Sequence, residues 1–207
     1  MNISIVIPTM SRKTTNFDYL FTSLEGNKDF FLNNGIVNKI LFIDKNEYEL
    51  ISSNVDKYNF NILFRNEDNE YYQNLNAKRS KDSYDYWRSH LCLDFAYSMT
   101  KCLEMTNTPL IMWLEDDTIV DIEMFNELDK LQNITAVSAY KYCGFPCIIF
   151  ERNYLSKYIE LIYKHYMEDI PLDWYIHRFN LNSINFNSKY AHHIGEVSTR
   201  NVIRVVD

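Results

Sequence analysis

The sequence predicts an α/β fold whose central sheet is largely parallel. Short apolar runs at Ile3–Ile7, Lys39–Asp44, Asn61–Arg65 and Pro109–Leu114 have the length and β-branched or aromatic content of buried strands. Segments with apolar residues at helical spacing alternate with them, which is the pattern of strand–helix–strand crossovers. Several runs close on a polar or acidic group: Pro8-Thr9, Asp44 and Glu115-Asp116-Asp117. In open parallel sheets ligands bind beyond the carboxyl ends of the strands, so this convergence predicts a crevice there.

Taken in order, Ile3-Ser4-Ile5-Val6-Ile7 reads as strand one and stops at Pro8, which cannot donate to a sheet ladder. Phe17, Leu20, Phe21 and Leu24 predict a helix, and Lys39–Asp44 a second strand. After the third strand, the polar stretch from Asn66 to Ser83 is expected to be a mobile binding loop. Trp87, Leu91, Phe95, Ala96, Met99, Cys102 and Leu103 predict a helix over Tyr86–Leu103, followed by the strand ending at Leu114. Ile134–Ala139 and Cys147–Phe150 read as apolar runs flanking Gly144-Phe145-Pro146, where glycine either turns the chain or lets a ligand approach the backbone. Helices are expected over Arg152–Met167 and Leu172–Phe179.

The chain has 207 residues, of which 46% are hydrophobic, with only four glycines and four prolines, so one domain with a substantial core is expected and disordered or collagen-like classes are excluded. A net charge of −7 opposes nucleic-acid or anionic-membrane binding. A small phosphorylated ligand is compatible with that charge, because a divalent cation bridges carboxylates to phosphates. Cys92, Cys102, Cys143 and Cys147 lack disulfide-scaffold density and zinc-ligand pairing and read as buried thiols. The first residues lack a signal peptide's basic start, and no apolar run reaches membrane-span length. The expectation is a cytoplasmic enzyme, in host cytoplasm if the chain is viral.

Glu115-Asp116-Asp117 follows an apolar strand. Three adjacent acids around one low-dielectric spot repel one another, and a hard cation with phosphate oxygens relieves this. In extended chain, alternate residues share a face, which puts Glu115 and Asp117 together and Asp116 elsewhere. A helix cap or solvated turn is the plain alternative. Asp173 reads as either a helix-capping acid or a general base. Arg88 could pair with a diphosphate or with Asp82 and Asp85, and Trp174 could stack on a sugar or fill the core.

Four segments, taken together, carry a family resemblance: Trp87-Arg88 through Leu93-Asp94-Phe95, Leu114-Glu115-Asp116-Asp117, Pro171-Leu172-Asp173-Trp174 and His193-Ile194-Gly195. In this order and approximate spacing the chain from Tyr86 to Thr199 resembles the N-acetylglucosaminyltransferase IV family. The resemblance implies a GT-A nucleotide-diphospho-sugar transferase fold, with a nucleotide-binding part over about residues 1–117 and an acceptor part over about 118–207. It implies a metal site of Asp117 and His193 binding Mn²⁺ or Mg²⁺, with His192 the alternative ligand. Glu115 would lie near the nucleotide ribose and Asp116 in the same acidic motif, and Pro8, Thr9, Asp44 and Arg88 would contact the nucleotide. Asp173 matches the position of the catalytic base. The implied activity is inverting transfer of a hexose from a UDP-sugar to a glycan acceptor hydroxyl; the donor is UDP-N-acetylglucosamine by resemblance, with UDP-glucose or UDP-rhamnose as alternatives. A nucleotidyltransferase and a noncatalytic carbohydrate-binding module are the competing readings; against the first, no glycine follows Ile7 to form a phosphate loop.

Overall fold

A computed structural model describes residues 2–9, 36–55, 59–121, 123–128, 130–131, 135–138, 146–178, 184–185 and 191–193. The predicted helix at Phe17–Leu24, the basic pair Arg12 and Lys13 expected to be solvated or to meet phosphate, and Cys143, Gly144, Phe145, Ile194 and Gly195 lie outside these.

Strand β1 (Ile3–Pro8) has β2 (Ile36–Ile43) on one side and β4 (Leu110–Leu114) on the other, both parallel to it. β3 (Asn61–Phe64) continues the parallel run beyond β2. Beyond β4 come β7 (Cys147–Glu151), β6 (Ala136–Ser138) and β8 (Ile184–Asn185), giving the order β3-β2-β1-β4-β7-β6-β8. Of these seven, β7 alone runs against the rest. The α/β fold with a mostly parallel sheet is as expected.

Both faces of the sheet are covered, and the strands show it by period-two sorting. Val6, Ile40, Phe42, Ile111, Trp113, Ile148 and Phe150 enter one core cluster, while their neighbours Ile5, Ile7, Leu41, Ile43, Met112, Leu114 and Ile149 enter the other. The first cluster is roofed by α2 (Glu70–Lys78), α3 (Tyr84–Met105), α5 (Arg152–His165) and α6 (Trp174–Arg178). The second contains Val55 of α1 (Lys45–Val55) and Met124, Phe125 and Leu128 of α4 (Glu123–Leu128). Helix α3 starts at an N-cap, where the Ser83 hydroxyl accepts from the Tyr86 amide. No helix among the described residues is long and apolar enough to cross a membrane.

The expected loop over 66–83 is corrected: Glu70–Lys78 is helix α2. Asn69 caps it by accepting from the Tyr71 amide, Glu70 and Lys78 complement its dipole, and Tyr72 and Leu75 are buried one turn apart. Tyr71, half-buried, packs against the same core, and these three positions are too short a stripe to stand out from polar sequence. Helix α3 runs two residues further at each end than expected, and α1, α4, β5 (Thr118–Val120), β8 and β9 (Ala191–His193) are elements the sequence did not predict.

Helices α3 and α5 lie antiparallel. At one end Arg152 Nη2 donates to the Leu103 carbonyl; at the other, Ser89 Oγ donates to the Tyr166 carbonyl. Since α3 leads into the start of β4 and the Arg152 amide bonds the Pro109 carbonyl, the Ser89–Tyr166 end lies at the carboxyl edge of the parallel strands. Phe95 sits between the layers, its ring 4.9 Å from Trp113, 5.8 Å from Phe150 and 5.6 Å from Tyr158. Phe95→Ala is expected to destabilise the fold by about 3–5 kcal/mol, read as a lowered midpoint in urea unfolding; an unchanged midpoint would show that this aromatic centre does not hold sheet and helices together.

Candidate active site

After β1 the chain builds outward through β2 and β3, then returns through α2 and α3 to place β4 on β1's other flank. The carboxyl edge between β1 and β4 is therefore a topological switch point, where loops diverge and leave a crevice. A buried hydrogen bond marks it: Thr9 Oγ1 donates to Asp116 Oδ2 at 3.0 Å, and the Thr9 amide bonds the Phe42 carbonyl at 2.8 Å. Pro8, half-buried, is in register with Phe42 at the end of the β1–β2 ladder.

Strand β4 ends at Leu114, and Glu115–Thr118 form a turn closed by the Thr118 amide on the Glu115 carbonyl. The alternation expected of an extended chain therefore does not govern the three acids; Asp116 and Asp117 occupy the two corners of the turn. The Glu115 amide bonds the Pro146 carbonyl at 2.8 Å, fixing the turn to the start of β7. Asp116 and Asp117 are 5% and 2% exposed, while Glu115 is half-buried. Consecutive buried carboxylates concentrate negative charge in a low-dielectric place, and a cation offsets it.

Strand β5 leaves this turn and pairs antiparallel with β9, with Thr118 opposite His193 and Ile119 opposite His192. The pairing brings the backbone of the predicted histidine ligand beside the residue that follows Asp117. The Thr118 hydroxyl is wholly buried and has no hydrogen-bond partner among the described residues. An orphaned hydroxyl, two buried carboxylates and a neighbouring histidine backbone fit a hard divalent cation that keeps open positions for phosphate oxygens. No cluster of three or more metal-holding His, Cys, Asp or Glu side chains is found among the described residues.

Asp44, also at this edge, caps α1: its Oδ1 accepts from the Asn46 amide at 2.8 Å and its carbonyl from the Glu47 and Tyr48 amides. Its other oxygen lies 3.6 Å from Arg65 Nη1. Arg65, directly after β3, makes a two-pronged bond to Asp94 of α3 at 2.9 and 2.8 Å, and Tyr72 donates to the same carboxylate at 2.8 Å, with His90 Nδ1 at 3.4 Å. Burial alone raises the Asp94 pKa, yet His90 and Arg65 outweigh it and hold the carboxyl below its ordinary value. Tyr72, buried beside that negative charge, is pushed well above the usual phenol value. The sequence reading missed Arg65 and the role of Asp94. The available signal was an acid inside the apolar face Leu93-Asp94-Phe95-Ala96, which demands a buried cation.

Asp173 stands on the segment between α5 and α6, whose carbonyls are held by side chains. Ser89 bonds that of Tyr166 at 2.7 Å, Arg79 that of Met167, Arg88 that of Asp169, Cys92 Sγ that of Ile170 at 3.8 Å and Tyr158 that of Leu172. Arg79 also pairs with the Asp169 carboxylate, and Asp169 has φ 56°, the left-handed region, where asparagine and aspartate are the more tolerated side chains. Arg88 further bonds the Tyr84 hydroxyl at 2.9 Å and stacks on its ring, so here it is a brace of the Asp173 segment rather than a partner of Asp82 or Asp85. Half-buried Asp173 immediately precedes α6. Burial pushes the Cys92 thiol up to about 12, with Arg88 opposing and the Asp173 charge adding to it. Cys102 and Cys147 are likewise buried and raised, to about 11 and about 12, so these thiols are inert packing groups.

No family model and no curated protein matches the chain. Solved structures do resemble it in fold. Galactosyltransferase LgtC, in complex with donor and acceptor sugar analogues, superposes with a TM-score of 0.57 at 10% identity, over 89% of this chain and 73% of that one. A glycosyltransferase involved in glycosylation of the major capsid of PBCV-1 gives 0.52 at 10% identity, over 99% and 98%. The 4-diphosphocytidyl-2C-methyl-D-erythritol synthase of Anaerococcus prevotii gives 0.54 at 12% identity, over 99% and 93%. The chain therefore has the fold shared by nucleotide-diphospho-sugar transferases and nucleotidyltransferases.

Asp94→Asn is expected to cost about 3–5 kcal/mol, because it leaves Arg65 buried without its carboxylate. With its folded value lowered, the Asp94 carboxylate stabilises the fold above its unfolded pKa of about 3.9 and loses that contribution as pH falls through the lower folded value. Urea midpoints should thus differ widely between wild type and variant at about pH 7 and begin to draw together below about pH 4, closing only as pH passes the lower folded value. A gap that does not narrow in acid would show that the carboxylate's charge is not what the network uses.

Proposed function

We propose that this chain is a metal-assisted glycosyltransferase that moves a hexose from a UDP-sugar to a hydroxyl of an acceptor glycan with inversion. The observation that carries the reading is the buried Asp116-Asp117 turn at the switch point, with the His193 backbone in register beside it. Asp117 and His193 would hold Mn²⁺ or Mg²⁺. Such a cation supplies Lewis-acid neutralisation of a departing diphosphate.

The chain's own groups do the rest. Asp116, fixed by the Thr9 hydroxyl, keeps the turn closed against β1. Glu115, half-buried, would meet a ribose hydroxyl, and Pro8, Thr9 and Asp44, at the ends of β1 and β2, would contact the nucleotide. Asp173 takes the proton from the acceptor hydroxyl as its oxygen bonds to the anomeric carbon from the face opposite the leaving UDP. Displacement from that face inverts the anomeric centre, and the proton leaves on Asp173. Arg79, Arg88 and Tyr158 hold the segment bearing this carboxylate in place, as alignment of a general base requires.

Nucleotidyl transfer from CTP is the second reading, favoured by the fold likeness to CTP-using enzymes. Thermal-shift titration with UDP, UDP-N-acetylglucosamine, UDP-glucose and CTP, each with Mn²⁺ and with chelator, separates the two. Manganese-dependent stabilisation by uridine nucleotides is expected, at about 2.7 kcal/mol when ligand exceeds Kd a hundredfold. Preference for CTP would overturn the glycosyltransferase reading. Asp117→Ala should abolish the manganese-dependent shift; an unchanged shift removes Asp117 from the metal site. Asp173→Asn should retain UDP binding and lose transfer or donor hydrolysis by about 10²–10⁴-fold, and undiminished turnover would reject it as base.

A further inference from the structure

Three large apolar side chains are exposed among the described residues: Phe64, Met105 and Trp174. Phe64 is covered in part by the Tyr48 ring, 5.5 Å away, and Met105 ends α3 at the edge of the sheet opposite the crevice. Trp174 is the most exposed, at 56%, and it follows Asp173 at the start of α6, on the segment that leaves α5 at the carboxyl edge of the sheet. Its neighbours behave otherwise. Leu172, Tyr175 and Ile176 are all 5% exposed or less, so this stretch buries its smaller apolar groups and leaves its largest in water. An indole left exposed forgoes stabilisation that a buried one would contribute.

The base beneath it is rigid. The carbonyls of Tyr166, Met167, Asp169, Ile170 and Leu172 are each held by a side chain from elsewhere in the fold, and two of those donors are guanidinium groups. A large aromatic with two side-chain torsions, mounted on a fixed segment, gives wide contact area at small entropic cost. A pyranose presents a face of C–H groups that packs on an aromatic ring and a rim of hydroxyls that does not.

We propose that Trp174 is the platform of the acceptor subsite: its indole takes the C–H face of a pyranose while one hydroxyl of that sugar reaches Asp173. This deepens the glycosyltransferase reading and rests on it. The nucleotide belongs to the Asp116–Asp117 turn, so a sugar rather than a nucleobase is assigned to the indole.

The full chain has three tryptophans, so 5-fluorotryptophan labelling gives three fluorine resonances, with that of Trp174 assigned by W174F. UDP with Mg²⁺ is added first, then the methyl β-glycosides of glucose, galactose, mannose and N-acetylglucosamine in turn. UDP should bind by calorimetry and leave the Trp174 resonance in place, and at least one glycoside should move it while that of buried Trp113 stays still. W174A should weaken that glycoside about tenfold and W174F by no more than about threefold, with UDP affinity unchanged. The platform is overturned if UDP binds and no glycoside moves the resonance, if UDP itself moves it, or if W174A binds the glycoside as wild type does. Absence of UDP binding would overturn the glycosyltransferase reading and the platform with it.

Discussion

A carboxylate sealed inside the helix layer is the constraint on which the crevice edge depends. Asp94 sits on α3 with its charge answered by Arg65 from the end of β3, by the Tyr72 hydroxyl from α2 and by His90 one turn away. Burying an ion costs several kcal/mol unless its partners are in place, so three separate elements must meet correctly or the charge is stranded. Arg65 then reaches back toward Asp44 at the end of β2. One ionic cluster thereby registers the β2, β3 and α2 ends against the long helix that leads to β4.

The two halves of the edge are made by different means. On the sheet side, geometry comes from strand ends: Thr9 meets Asp116 because β1 and β4 are parallel neighbours whose loops part company there. On the helix side no ladder exists, and the segment from Tyr166 to Leu172 is instead held carbonyl by carbonyl. Irregular backbone near a core must satisfy its polar groups somehow, and here Ser, Arg, Cys and Tyr side chains substitute for secondary structure.

What the sequence disclosed follows from how local each signal is. β1, β2 and β4 are apolar runs that feed both core clusters, β3 is a half-exposed edge strand of the same apolar composition, and that composition alone separates them from their surroundings. The position of the acids beyond β4 was readable for the same reason, but their conformation was not: the turn at Glu115–Thr118 depends on the Pro146 carbonyl, which is distant in sequence. Helix α2 hid behind polar residues because only Tyr72 and Leu75 are fully buried, with Tyr71 packed beside them. Asp94 and Arg65 lie 29 residues apart, and a pair made across the fold leaves no periodic trace. Arg88 showed the limit of reading charge from neighbours in sequence, since its partners are a backbone carbonyl 81 residues away and the aromatic residue one turn back.

The carbonyl-by-carbonyl fastening of the Asp173 segment has a consequence for how the chain comes to life. Its donors sit on α3 and α5 and on the Arg79 connection, so the segment has no shape of its own until those helices have docked on the sheet. The shape of this segment thus requires the assembled helix layer. The Asp173 carboxylate is therefore positioned by tertiary contacts alone, whereas the Asp116 turn is closed by its own backbone.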